Sequence, residues 1–225
     1  MRSLALGFLG LAAVFVDGCA CGFPFDSSRE AQVKIDLGDV QADCTDSGSE
    51  TRENGDVVSW NHSAQSNRCH LSSTWAGVLL DMEEVHTQVE DALADSGVDP
   101  ASVKVTITTI DITVTKVDMT DADGNHVEIP GLLSYVGSVD VGDEEGLIVA
   151  EMAEGGDPTD PDVSIKEGNA LAEMATTAYA DNENVLGEGS ADTFVNLADV
   201  APLEGIEGLG LTIDFTLDIA GTAGL

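Results

Sequence analysis

Basic side chains are scarce in this chain of 225 residues. Lysine and arginine together number 8, against 42 aspartates and glutamates, so the formal net charge is −34 at pH 7. Such a surface repels phosphate backbones and anionic headgroups, which argues against charge-driven binding to nucleic acid or lipid, and it attracts cations and basic partners. Because the acids are spread along the chain, a solvated coat suited to a salty medium also explains them.

Aromatic residues and catalytic motifs are sparse as well. Two Trp and two Tyr provide few stacking platforms for sugars. The chain has no Gly-x-Ser-x-Gly, no His-Glu-x-x-His, no phosphate-binding loop and no dinucleotide fingerprint. The sequence therefore favours a non-enzymatic protein. A secreted hydrolase with an unrecognised carboxylate site is an alternative.

A long uncharged apolar run occurs only near the N-terminus. Residues 1–21 start with a basic residue and continue with an apolar run too short to span a bilayer, which is typical of an export signal. Val16-Asp17-Gly18-Cys19 resembles a bacterial lipobox, in which the cysteine is lipidated and becomes the new N-terminus. Lipid on Cys19 would anchor the chain to a membrane, in the periplasm or on the outer-membrane or cell surface. Cleavage after Ala20 is the alternative.

Alternation with a period of two predicts the core strands. In Leu209–Ile219 every second residue is apolar and the others are Gly, Thr or Asp, which predicts an antiparallel strand with one buried and one wet face. Thr109–Val114 and Val33–Leu37 repeat the pattern, so we expect the three segments to share one sheet system. A phase change near Thr108–Thr109 predicts a β-bulge.

The remaining elements follow from local patterns. Residues 22–30 are predicted to be a tether. Further strands are predicted over 31–40, 103–117, 134–141 and 146–150, and loops over 41–73, 153–162 and 181–192, while 194–206 is ambiguous between strand and helical turn. Apolar spacing of three to four predicts a helix over Thr74–Ser96 with Gly97 as its C-cap, and a capping box at Ser164–Glu167 predicts a short one. The fold predicted for residues 31–225 is a single mainly β domain, an antiparallel β-sandwich with one long amphipathic helix and one short helix.

The cysteines and histidines of the 41–73 segment allow two interpretations. In an oxidising compartment Cys44 and Cys69 are the natural disulfide pair, and closing this loop stabilises the fold by roughly 3 kcal/mol. His62, Cys69 and His70 also offer ligands for zinc, but their spacing matches no familiar finger. Cys21 has no obvious partner.

Oxygen ligands cluster in two acidic turns. Asp121, Asp123, Asn125 and Glu128 surround a glycine and predict a candidate calcium site, although their spacing is not that of an EF-hand. The loop 157–162 is a second candidate. A plain turn is the simpler interpretation of each, and no other cofactor is predicted.

The layout as a whole resembles a loose group of exported bacterial β-sandwich lipoproteins with no assigned activity. The likeness lies in the signal, an early strand, a helix, a strand after Gly97-Val98-Asp99-Pro100, and a final alternating strand. It implies a non-enzymatic cell-envelope lipoprotein, a structural or protein-interaction module whose partners are the membrane, through its anchor, and an envelope protein or a cation. A calcium- or ligand-binding adhesion-type module is the alternative.

Overall fold

The chain folds into two antiparallel sheets. In a computed structural model, which describes residues 22–95, 97, 99, 103–166, 169–199 and 205–224, ten strands are found in that part of the chain. The strands are β1 (Phe23–Gly38), β2 (Gly48–Thr51), β3 (Val57–Ser63), β4 (Arg68–Leu80), β5 (Lys104–Thr120), β6 (Leu132–Val141), β7 (Glu144–Met152), β8 (Asp162–Ile165), β9 (Val185–Asn196) and β10 (Leu209–Gly224). The helices are α1 (Val40–Asp43), α2 (Met82–Asp95) and α3 (Asn169–Asp181), and a 3-10 turn spans Leu197–Asp199.

The three segments with matching alternation lie in one sheet, as predicted. Its order is β1-β10-β5, so the closing strand β10 is central. The apolar residues of β10 from Leu209 to Ile219 are all at most 2% exposed. The opposite face is only partly wet, because Thr212 is buried and Asp218 is exposed. The predicted bulge is confirmed, since the pairing with β10 skips Thr108.

The predicted tether at 22–30 is wrong. These residues form the first half of β1 and pair with the end of β10, from Phe25 opposite Gly221 to Arg29 opposite Leu217. The Phe25 ring is 6% exposed. The polar side chains of this segment have partners on α2: Ser27 donates to Gln88, and Arg29 pairs with Glu84.

The second sheet has the order β2-β3-β4-β9-β6-β7-β8. Two of the predicted loops are therefore wrong, because 41–73 contains β2, β3 and the start of β4, and 181–192 contains most of β9. The two strands predicted at 134–141 and 146–150 are β6 and β7, each slightly longer than expected. The ambiguous segment ends β9 and forms the 3-10 turn, and residues 200–204 lie outside the described part.

The two sheets pack face to face over one apolar core. A Cβ on Gly137 of β6 would lie 2.4 Å from Leu211 Cδ2 of β10, so the missing side chain lets the sheets approach. Strands β1 and β10 have 16 residues each and β5 has 17. Helix α2 contacts β1 and helix α3 contacts β5. The prediction of a mainly β, sandwich-like fold is confirmed at this level.

The predicted helix over Thr74–Ser96 is wrong in its first part. Residues 74–80 continue β4, and Val78 is an exposed strand residue. Helix α2 begins at Met82, where the Asp81 carboxylate accepts the N–H of Glu83 as an N-cap. The apolar stripe of α2 is buried as expected, and Gly97 has φ 73° and donates its N–H to Ala94 O.

The second helix also differs from its prediction. Ser164 lies in β8 rather than in a capping box, and Glu167 lies outside the described residues. With 14 and 13 residues, α2 and α3 are nearly equal in length, so one long and one short helix is not confirmed. Within the described residues no helix is long and apolar enough to span a membrane.

Candidate functional site

The cysteines of the early segment form the predicted disulfide. Cys44 and Cys69 are bonded, with their Cα atoms 5.7 Å apart. Cys69 is therefore not a thiolate ligand. His70 follows it on β4 and points to the other face, where its ring stacks on Phe194 at 4.3 Å and Nε2 lies 2.8 Å from Asp192 Oδ1. His62 lies opposite Cys69 on the neighbouring strand β3, but with Cys69 in the disulfide and His70 on the other face the three residues do not form a zinc site.

The first calcium candidate is a turn held together by one carboxylate. Asp121 Oδ1 accepts the backbone N–H groups of Asp123 and Asn125 at 3.0 and 2.8 Å. Hydrogen bonds from the Asn125 side chain and backbone hold the pKa of Asp121 below its ordinary value. Asp123 contributes only its backbone here, and Glu128 is not part of the group. The structure thus brings Asp121 and Asn125 together and leaves the other two apart.

The second acidic loop has the same local character. Asp157 Oδ1 accepts the N–H and the hydroxyl of Thr159 at 2.9 and 2.7 Å, which lowers the pKa of Asp157. Among the described residues, no three His, Cys, Asp or Glu side chains converge in a geometry that could hold a metal ion. Calcium binding stays a prediction.

A charge network around the buried Asp118 lies beside the first turn, and the sequence analysis does not predict it. The Asp118 side chain is 8% exposed and accepts from Lys116 Nζ at 2.7 Å and His126 Nδ1 at 2.6 Å. Burial alone would raise the pKa of Asp118, but these hydrogen bonds outweigh it and the pKa is lowered. The network ties the end of β5 to the hairpin that carries Asp121, and His126 also forms a backbone bridge with Thr120.

A cleft lies elsewhere, between α3, the β6–β7 turn and the start of β9. It has a volume of about 620 Å³. Five of the described lining residues are acidic and none is basic. These acids are Asp140, Glu173, Asp181, Glu183 and Glu188, and the apolar lining residues are Met174, Ala178, Val185 and Leu186. We call this feature the acidic groove.

A helix-terminating motif positions one wall of the acidic groove. Asn182 has φ 54°, the Asn182 N–H donates to Tyr179 O, and the Glu183 N–H donates to Ala178 O at 2.9 Å. These bonds form a Schellman motif that ends α3 and turns the chain directly into β9. Asn184 then accepts the Met82 N–H at 2.9 Å, which fixes the turn to the start of α2.

The helix wall is held from two sides. On α2, the His86 ring stacks on Tyr179 at 3.8 Å and its Nε2 lies 2.9 Å from Tyr179 O, so His86 is a half-buried packing residue. At the other side, a Cβ on Gly142 would lie 2.8 Å from Met174 Cε, so the β6–β7 turn sits against the helix.

The carboxylates of the acidic groove have no positive partner within the described chain. Six of the seven lysines and arginines in the described chain are engaged elsewhere: Arg29, Arg52, Arg68 and Lys116 pair with other acids, and Lys34 and Lys166 donate to backbone carbonyls. The seventh, Lys104, is exposed at the start of β5. None of these ion pairs includes a residue of the groove. Asp140 does accept the Gly146 N–H, which orients it without neutralising it.

Sequence reasoning missed the acidic groove because three separate segments build it. The one available signal was the alternation of Val185, Gly187, Gly189 and Ala191, which marks a strand with a small-residue face. The predicted lipidation site Cys19 lies outside the described residues, as does Cys21, for which the sequence predicts no partner. No family model, no curated protein and no solved structure matches this chain.

Proposed function

We propose that this chain is a non-enzymatic interaction module of the cell envelope, held at a membrane by lipid on Cys19, and that it binds its partner through the acidic groove. The observation that carries the proposal is the groove itself. It is a cleft of about 620 Å³ with one exposed apolar side chain, Leu186, and five carboxylates that form no ion pair with a base among the described residues. A surface of that kind is suited to a partner that supplies positive charge.

The anchor and the binding surface are tested separately. For the anchor, Cys19→Ala should move the exported chain from the membrane fraction to the soluble fraction of cells that produce it. Equal membrane recovery of both forms would contradict the lipid anchor and leave the groove untouched.

For the binding surface, a photoreactive residue is placed at Leu186 in the groove or at Val57 on β3. The two side chains are 64% and 41% exposed, so both sites are accessible. Irradiation of cells of the native host should give a defined crosslinked adduct from position 186 and none from position 57. Adducts from both positions, or from neither, would contradict a partner surface at the groove.

The calcium-binding adhesion-type module is the second candidate, and it rests on the Asp121 turn. The lowered pKa of Asp121 keeps it a carboxylate in an exposed turn. A ligand that binds only the folded state raises the melting temperature by mass action. We expect millimolar CaCl₂ to raise it no further than NaCl of matched screening strength. A calcium-specific rise that Asp121→Asn abolishes would instead establish a site at this turn.

A further inference from the structure

We propose that the acidic groove binds a segment of a partner protein in which an apolar side chain lies between lysine or arginine side chains. This inference rests on the proposed function and names the chemistry of its partner. Three features of the groove carry it: exposed apolar residues at its rim, like charges facing each other on the sheet, and an acidic stripe along the helix.

The apolar rim is a cross-strand pair. Leu186 of β9 lies directly opposite Val78 of β4. They are 64% and 51% exposed, which makes them the two most exposed large apolar side chains among the described residues. Because they are neighbours on the same face, they form one patch. A partner that covers this patch removes apolar surface from water, which favours binding.

The sheet wall presents uncompensated negative charge. Glu188 of β9 lies directly opposite Asp140 of β6, and its neighbour on the other side is Ala76 of β4. Like charges at directly opposed positions of an antiparallel pair destabilise the sheet. A lysine or arginine placed between the two carboxylates would remove that repulsion.

The helix wall of the groove also carries uncompensated negative charge. Glu173, Thr177 and Asp181 are four residues apart and share one face of α3. Asp181 is the last residue of the helix, where the backbone carbonyls already carry partial negative charge and a cation would be favoured. The last turn of α3 contains no basic residue. A basic side chain from a partner would supply the cation that this helix end lacks.

The charges alone do not identify the site. On the exposed face of the three-stranded sheet, Asp111 and Asp218 are also directly opposed, but they do not line this cleft, and none of the exposed large apolar side chains among the described residues lies on that sheet. That pair belongs to the general acidic coat. The groove differs by combining carboxylates on two walls with an apolar rim, which fits a segment carrying both kinds of side chain. A second copy of this chain, at −34, lacks the complementary charge.

The test measures binding of a short synthetic peptide in which leucines lie between lysines, with the purified full chain. The groove variant carries Glu173→Gln, Asp181→Asn and Glu188→Gln, and leaves Asp140 because it orients a backbone N–H. The control variant carries Glu30→Gln, Asp111→Asn and Asp218→Asn, which are exposed acids outside the groove. Both remove three negative charges, so they change the long-range attraction equally.

We expect the groove variant to raise the Kd about tenfold, since three surface ion pairs of ordinary strength together give about one decade. The control variant should change the Kd by about twofold or less. Leu186→Ser should also weaken binding of the leucine–lysine peptide, while Val57→Ser should leave its Kd unchanged. A peptide with serine in place of leucine should bind the native chain more weakly.

Equal weakening by the two triple variants would overturn the proposal and assign the binding to the general coat. Equal binding of the serine peptide would overturn its apolar part. Loss of folding does not confuse the result, because relief of like-charge repulsion should raise the urea midpoint of the groove variant above that of the native chain. If the peptide fails but a crosslinked adduct still forms at position 186, the interaction module stands and only this partner chemistry falls.

Discussion

The first half of β1 offers the sharpest test of the fold, because the sequence predicts a tether where the structure has a buried strand. The test substitution is Phe25→Ala. The Phe25 ring is 6% exposed and occupies the space above Gly221, where a Cβ would lie only 2.4 Å from Phe25 Cζ. Glycine cannot fill the void that loss of the ring would leave.

We expect Phe25→Ala to lower the free energy of unfolding by about 3 kcal/mol, at the low end for a buried phenylalanine because the residue lies near the start of its strand. For a chain of this size that corresponds to roughly 6–12 °C in Tm. Urea unfolding followed by tryptophan fluorescence measures it. The neighbouring Asp26 is exposed, so Asp26→Ala is the matched control and should stay within about 0.5 kcal/mol.

A second substitution tests the same contact from the opposite strand. In Gly221→Ala the new methyl group would overlap the Phe25 ring and also lie 2.6 Å from Thr106 O, so we expect a loss of about 1–3 kcal/mol. In the Phe25→Ala background the ring overlap is gone, and the added cost should be smaller. If Phe25→Ala proves no more harmful than Asp26→Ala, residues 22–30 are a tether and this pairing is wrong.

Three further predictions concern stability. Replacing Cys44 and Cys69 together by alanine should cost about 3–4 kcal/mol in urea unfolding, since the bridge spans a separation of 25 residues; a loss below about 1 kcal/mol would contradict this. Burial, helped by the charges of Asp118 and Asp157, raises the pKa of Tyr135 to about 12. The protonated Tyr135 side chain therefore contributes about 3 kcal/mol to the free energy of unfolding below pH 10, and this contribution is lost as the pH rises from 10 to 12. In a Tyr179→Phe variant, tyrosinate absorbance should therefore show little ionisation of Tyr135 near pH 10, and a midpoint of 10 would refute the prediction. The pKa of Asp118 is lowered in the folded chain, so the ionised Asp118 contributes fully to the free energy of unfolding above the ordinary aspartate pKa. This contribution is lost as the pH falls through the pKa of the folded state, and Asp118→Asn should therefore flatten the acid limb of the pH–stability curve.

The strands that the sequence predicts correctly are those whose buried face is apolar at every second position. Strand β10 meets this condition from Leu209 to Ile219, and the alternation alone predicts that it shares a sheet with β1 and β5. The bulge at Thr108 was predictable for the same reason, because the apolar set must return to the core after the phase change.

The strands that the sequence misses have inner faces that do not look apolar. In β9 the inward positions include Gly187 and Gly189, which read as loop residues. They are small because other groups fill the space: a Cβ on Gly187 would lie 3.2 Å from the Trp75 ring, and one on Gly189 would lie 2.9 Å from Ser138 O. In β1 the half-buried Arg29 reads as solvent-facing, because its partner Glu84 lies 55 residues away.

The helix boundary at Met82 shows a different limit. The spacing of Val78 and Met82 fits one helical stripe, yet Val78 is exposed on β4 and Met82 is buried on α2. Strand β4 and helix α2 meet at this point, and the four-residue spacing of Val78 and Met82 fits both the strand period of two and the helix period of 3.6. Asp81 marks the true start as an N-cap, but within an acidic chain one more aspartate gives no local signal.

The sequence does not predict the acidic groove, because acidic residues are common along the whole chain. Forty-two acids make any pair of carboxylates unremarkable by count. What separates the groove from the coat is the placement of the described bases, three of which link one element to another: Arg29 joins β1 to α2, Lys34 of β1 reaches the Asp121 turn, and Arg68 of β4 pairs with Glu154 after β7. None of the ion pairs in the described part of the chain includes a carboxylate of the groove. The groove keeps carboxylates that face each other beside exposed leucine and valine, and under our proposal the partner relieves that repulsion and covers that apolar rim.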